Sequence, residues 1–302
     1  MNYGIQNEYD FVELFNGKYF RELDNNSKLF LRELFKTYID DDTLVQSWKN
    51  KVPQKADIFI KIGNYTKGVS LKCGNSNSMH HEPIQEFKRY LEKLGIPYSV
   101  IDKYVGYHYG YGKDSNGKID FSKVLSSDEY KQLYQNEIFI FNSYINKTRI
   151  IVDMIDRFII RGRNSDYDID ALVCGTIDDY VWILKEDLYD LILSKRCIEF
   201  TSPHIACLTI GPKKRNLDGK SNNYKERYIV CIRWNYIKED ILSFKNTAGN
   251  GCDGCLTPSS VQNKNSWNSR VRFYMEQMRG VKPPSQPWQG HILIVEPHLQ
   301  LS

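Results

Sequence analysis

Ala56-Asp57-Ile58-Phe59-Ile60-Lys61-Ile62, then Gly63-Asn64, then Lys67-Gly68-Val69-Ser70-Leu71-Lys72-Cys73 is the stretch on which the fold turns. The first run alternates polar and branched apolar residues, the period-two pattern of a half-buried strand. The second run reads as another strand, and the Gly-Asn pair between them marks a tight turn, so the two form a hairpin. Successive side chains on a strand project to opposite faces. Ser70 and Lys72 therefore share one face, with Val69, Leu71 and Cys73 on the other, and Asp57, Phe59 and Lys61 oppose Ile58, Ile60 and Ile62. Where the polar faces coincide, Asp57 and Lys72 meet at one end of the hairpin.

Downstream, the polar loop 74–78 leads into a helix expected over about 82–94, with Pro83 in its first turn and Gly95 at its end. Upstream, apolar residues at helical spacing between Glu8 and Tyr38 predict two packing helices broken near Asp24-Asn25-Asn26. Residues 104–120, with three alternating tyrosines and four glycines, read as a mobile aromatic loop. Residues 128–163 are mainly helical, with 138–141 as an alternative short strand. Strands are expected at 169–173 and 180–184, a helix at 185–193, and further strands at 205–210 and 228–234 around a basic, Asn/Gly-rich connection. Beyond residue 245 the chain turns rich in Gly, Asn, Ser and Pro, which places a boundary between 1–245 and an extension, 246–302.

A chain of 302 residues with 41% hydrophobic and 26% charged residues can bury a real core, and it reads as a soluble globular protein. No apolar run approaches the roughly 18 to 20 residues that span a bilayer. The first residues lack a basic stretch followed by an apolar core, so a cytoplasmic location is expected. Seven cysteines, an odd number, argue for reduced thiols. The net charge of +4 is modest, but cations cluster at 147–163 and 213–227, and Arg270, Arg272, Arg279 and Lys282 add to the tail.

Hydrolysis of a phosphodiester with a metal ion needs hard oxygen ligands for Mg²⁺ and a cation to orient the attacking water. Pro53-x-x-x-Asp57 followed by Ser70-Leu71-Lys72 resembles the PD-(D/E)XK nuclease superfamily, whose pattern is an aspartate on one strand and acid-x-lysine on the next. Ser70 occupies the place of the second acid and cannot supply a carboxylate. Some restriction enzymes of that superfamily carry the same serine-x-lysine and recruit a glutamate from the following helix. Glu82 and Glu86 are the two candidates here. Glu86 has a spacing similar to that subgroup, whereas the run from Val69 through His80-His81-Glu82 is similar to uncharacterised members of the class and favours Glu82. The resemblance covers roughly residues 53–94. It implies an α/β fold with a restriction-endonuclease-like mixed sheet flanked by helices, to which the later strands add on one side. The nuclease domain would then be 1–245. It also implies a Mg²⁺-dependent type II restriction endonuclease that cuts double-stranded DNA, with Asp57 and Glu82 or Glu86 holding the metal and Lys72 orienting water. A homodimer would match a palindromic site, and a cognate DNA methyltransferase would act separately.

The basic connection supplies the expected DNA contacts: Lys213, Lys214, Arg215, Lys225 and Arg227 for phosphates, with Asn222 and Asn223 beside them, and His80 and His81 as further phosphate contacts. Cys252-x-x-Cys255 has the gap of a zinc knuckle, but two more ligands would have to come from afar, from Cys231, His204 or His291. Asp166, Asp168 and Asp170 resemble the start of a calcium loop, yet the required glycine and distal glutamate are missing, so they are read as flanking a strand. No GxxxxGK[ST] or GxSxG motif is present. Two other readings stand beside restriction: a DNA-binding protein of the same fold whose site has decayed, and a nuclease acting on RNA or branched DNA, with the tyrosines of 104–111 stacking unpaired bases.

Overall fold

The computed structural model describes residues 3–73, 77–162, 167–214 and 224–249. By its internal contacts the chain divides between Thr247 and Ala248, and the architecture below is that of the first unit. It opens with α1 (Tyr3–Phe15), the short β1 (Lys18–Tyr19), α2 (Asn25–Phe35) and β2 (Leu44–Lys49), followed by the hairpin β3 (Ile58–Ile62) and β4 (Tyr65–Lys72). Asp24 caps α2 by accepting from the Ser27 amide at 3.0 Å, which is why the Asp-Asn-Asn break begins a helix there. Both expected N-terminal helices are present.

After the hairpin come β5 (Ser78–Pro83), α3 (Ile84–Lys93), α4 (Tyr98–Tyr109), the small hairpin β6 (Tyr111–Lys113) and β7 (Ile119–Val124), and then α5 (Ser127–Leu133), α6 (Gln135–Ile145) and α7 (Thr148–Ile155). A π turn, Asp156–Ile160, continues α7 and is closed by the Arg161 amide on Asp156 O at 2.7 Å. The chain then forms β8 (Ala171–Thr176), β9 (Asp179–Leu184), α8 (Lys185–Ser194), β10 (His204–Ile205), β11 (Leu208–Pro212), a 3₁₀ turn (Tyr224–Tyr228), β12 (Ile229–Trp234) and α9 (Ile237–Gly249).

The result is α/β. A curled, mixed six-stranded sheet has the order β1-β2-β3-β4-β8-β9, antiparallel except for β4 beside β8. That parallel pair needs the long, helix-bearing connection that separates its strands. Ile58, Ile60, Ile62, Val69 and Leu71 face α1 and α2, where Phe11, Phe15, Phe30, Tyr180 and Trp182 complete a buried cluster. Phe30 meets the Trp182 ring at 5.3 Å and Phe11 meets Tyr180 edge-on at 5.2 Å. The three isoleucines, Val69 and Leu71 thus turn one way, which leaves Asp57, Phe59, Ser70 and Lys72 on the other face.

Three expectations are corrected. The later strands do not extend the first sheet: β10, β11 and β12 form a second, four-stranded sheet that takes β5 as its edge, with Cys231 opposite His81 and Val230 opposite Glu82. Glu82 accordingly lies in a strand, and the helix starts only at Ile84. Of residues 104–120, expected as a loop, 104–109 close helix α4, because Tyr104 and Tyr107 fall one helical turn apart and are both buried, and 111–113 and 119–120 belong to the β6–β7 hairpin. Residues 138–141 are likewise helical, within α6.

Candidate active site

The hairpin register sets Ile58 against Val69, so Asp57 stands across from Ser70. The Asp57 amide continues the ladder by donating to Val69 O at 2.9 Å. Its carboxylate is held in turn: Oδ2 accepts from Ser70 Oγ at 3.0 Å and from the Leu71 amide at 2.6 Å. Hydrogen bonds to an ionised acceptor are the stronger kind, so the pair fixes the carboxylate's position. Lys72 is the next residue on the Ser70 face, half-buried and opposite Cys174 of β8. Among the described residues it forms no ion pair. Asp57 and Ser70 are therefore in contact, and Lys72 follows two residues on along the same strand face.

The two glutamates separate sharply. Glu86 lies in the first turn of α3, partly exposed, and pairs with Arg89 at 2.7 Å. Glu82 is only 2% exposed. Its Oε2 accepts from Arg157 Nη2 at 2.6 Å and faces His80 Nε2 at 3.5 Å, while Oε1 is buried without a hydrogen-bond partner. Burial opposes ionisation of Glu82, but His80 and Arg157 outweigh it and hold the carboxyl below the usual range. Burial also lowers His80, against the opposing pull of Glu82; its ring packs on Phe158 at 5.1 Å. Arg157 in turn stacks over Tyr90 at 4.2 Å.

Two cations at this junction were not singled out from the sequence. Arg157 sits in the π turn, an irregularity common near functional sites. Its only prior signal was membership of the basic stretch 147–163. Lys55 stands two residues before Asp57, and its Nζ donates to Met79 O at 2.7 Å and Phe158 O at 2.5 Å. Burial pushes this ammonium down to about 7, with Lys72 adding repulsion and Asp57 and Glu82 opposing both. The same ammonium thus feels the candidate water-orienting lysine and both candidate ligands. Nothing in the local pattern distinguishes Lys55 from a solvated lysine.

Mg²⁺ commonly takes one or two protein carboxylates and completes its shell with water and substrate phosphate. Asp57 and the unpartnered Oε1 of Glu82 fit that donor chemistry. Among the described residues no group of three His, Cys, Asp or Glu side chains is arranged to hold a metal unaided. Glu86, committed to Arg89 on an exposed helix turn, fits less well.

No protein-family model matches this chain, and no curated protein does.

Of the expected DNA contacts, Arg215, Asn222 and Asn223 lie outside the described residues, as do Asp166, Cys252 and Cys255. Lys213 and Lys214 both pair with Glu226, at 2.9 and 3.2 Å. Lys225 and Arg227 sit in the 3₁₀ turn, with the Arg227 guanidinium 5.5 Å above the Tyr109 ring. Unlike His80, His81 keeps much of its surface exposed, while its Nε2, turned inward, contacts Ser78 Oγ at 2.9 Å and Cys231 Sγ at 3.0 Å. Burial lowers the His81 ring, helped by Lys213 and Arg233. Asp168 binds Arg161 and Lys185, and Asp170 binds Lys67 and the Gly68 amide, so these two acids are spent on ion pairs and strand ends rather than on a calcium loop. Among the described residues no helix is long and apolar enough to cross a membrane.

Proposed function

We propose that this chain is a Mg²⁺-dependent endonuclease of double-stranded DNA, a type II restriction enzyme with a restriction-endonuclease-like domain in 1–245. The observation that carries the reading is the clamp on Asp57: a serine-x-lysine strand whose serine and following amide grip the aspartate directly across the hairpin, with Lys72 beside them. Asp57 and Glu82 would hold the ion, which when bound supplies Lewis-acid stabilisation of charge on the phosphate. Lys72, free of any carboxylate partner among the described residues, orients the attacking water and offsets negative charge as it develops. Ser70 and the Leu71 amide keep Asp57 from swinging away. Arg157 occupies one Glu82 oxygen and leaves the other, the buried Oε1, without a partner for the ion to take. A homodimer acting on a palindromic site in the cytoplasm, opposite a separate methyltransferase, completes the proposal.

A second reading is favoured by one feature: Glu82 is already neutralised by Arg157, as in a DNA-binding protein whose site has decayed. Incubation of supercoiled plasmid with Mg²⁺ separates the two. Wild-type protein is expected to linearise or fragment the plasmid, with Asp57→Ala and Lys72→Ala each at least about a hundredfold slower and otherwise folded. Cleavage by neither wild type nor Asp57→Ala leaves the decayed reading and a nuclease of other substrates. Parallel single-stranded DNA and RNA substrates test the remaining nuclease alternative.

A further inference from the structure

We infer that Lys55 is a positioning residue that sets the separation between the Asp57 and Glu82 carboxylates, and with it the size of divalent cation they accept. The inference rests on the reading of those two acids as metal ligands. Asp57 belongs to the hairpin of the first sheet and Glu82 to the edge strand of the second, and among the described residues no strand pairing joins the two sheets. Side chains that bridge the two sheets therefore bear on that spacing. Lys55 enters from the Asp57 side and binds Met79 O in β5, three residues before Glu82. The same ammonium binds Phe158 O in the π turn, next to Arg157, which grips Glu82 Oε2. One cation thus links the aspartate's strand both to the glutamate's strand and to the turn that orients the glutamate. The alkyl stem has a constrained path, because a Cβ at Gly162 would lie 3.1 Å from Lys55 Cγ. Replacing Lys55 by a neutral chain of similar length fills the same space but leaves two carbonyls without their donor.

Charge and geometry make different demands on the test. Removing a cation near two carboxylates strengthens the attraction for every divalent ion, so absolute affinity is a poor readout. The ratio of affinities for two ions of equal charge cancels that effect. Mg²⁺ requires near-octahedral ligands at about 2.0 to 2.1 Å, whereas Ca²⁺ accepts a looser shell at about 2.3 to 2.6 Å. A site that loses its fixed spacing shifts toward Ca²⁺.

The DNA-free protein is loaded with Tb³⁺, and its luminescence is followed as Mg²⁺ or Ca²⁺ displaces it. Lys55→Met is expected to move the Mg²⁺/Ca²⁺ preference toward Ca²⁺ by at least about fivefold. Lys72→Met, which removes a charge without breaking the link, changes both affinities together. Lys55→Arg, which keeps the donors, stays near the wild-type ratio. Should Lys55→Met lose cooperative unfolding, Lys55→Ala, which also removes the donor but lets water reach the two carbonyls, carries the same comparison. A wild-type ratio in a folded Lys55→Met or Lys55→Ala protein overturns the role of Lys55 alone. Wild-type protein that fails to bind Tb³⁺, or that binds it unchanged after Asp57→Ala, overturns the metal reading and this inference with it.

Discussion

Ser70 shows how one residue changes meaning between sequence and structure. In the sequence it is the place where a carboxylate is missing. In the fold its hydroxyl points at Asp57 and helps to hold it, a role that the hairpin register makes visible and composition does not. The choice between Glu82 and Glu86 was open in the sequence because both precede or enter a helix at plausible distances. What sets the two acids apart is the contact of Glu82 with Arg157, distant in sequence, so no local pattern could reveal it. The structure makes the two acids respond differently to substitution. Glu86→Ala removes an exposed i,i+3 pair with Arg89 and is expected to change stability by no more than about 0.5 kcal/mol. Glu82→Ala leaves the half-buried Arg157 without its counter-charge and should cost about 3 kcal/mol or more. Urea denaturation of both variants checks this, and equal midpoints would show that the Glu82–Arg157 pair does not form.

At the scale of elements, the hairpin, β9, α8 and β12 were legible because each carries its own period. β5 was not. Ser-Met-His-His-Glu-Pro lacks an apolar alternation, and the segment is a strand only because β12, far along the chain, pairs with it. Residues 104–111 misled for the opposite reason: Tyr107, Tyr109 and Tyr111 alternate, yet the buried pair Tyr104 and Tyr107 has helical spacing. The helix stops at Gly110, whose φ of 72° lies where a side chain would also strike Leu125 O. The join between the π turn, β8 and α8 rests on Asp168, bound by Arg161 and Lys185. Burial works against ionisation of this acid, but the two cations prevail and lower it below the usual carboxylate value. A depressed carboxylate stabilises the fold above its unfolded value near 4, and that contribution disappears as the pH falls through the lower, folded value. Asp168→Asn is therefore expected to lose about 1 kcal/mol at pH 7. The difference from wild type should shrink below about pH 4. Chemical denaturation at pH 7 and pH 3 measures it, and a gap that persists undiminished at pH 3 would assign the effect to packing instead of charge.

For the molecule as a whole, the distribution of cations matters more than the net charge of +4. The sequence pointed to 213–227 as the phosphate-binding segment, but it could not show that Glu226 would fold back onto Lys213 and Lys214. Lys213 and Lys214 hold the Glu226 carboxyl below its ordinary value, so it is ionised wherever DNA would bind. The acid therefore competes with phosphate for these two cations. Each cation that neutralises a phosphate releases counterions and steepens the dependence of affinity on salt by roughly one unit of log–log slope. Glu226→Gln keeps the shape and removes the competitor. If this segment lies against the duplex, the variant should bind DNA more tightly at low salt, and its slope should be steeper than wild type by up to about two units. The same substitution combined with Lys213→Gln and Lys214→Gln should bring the slope down to the wild-type value or below it, because the freed cations are then gone. Titration of a mixed-sequence duplex at several salt concentrations gives both slopes, and cleavage need not occur for the measurement to be read. Identical slopes for wild type and Glu226→Gln would mean that phosphates do not reach Lys213 and Lys214, and DNA would have to be held by another face of the molecule.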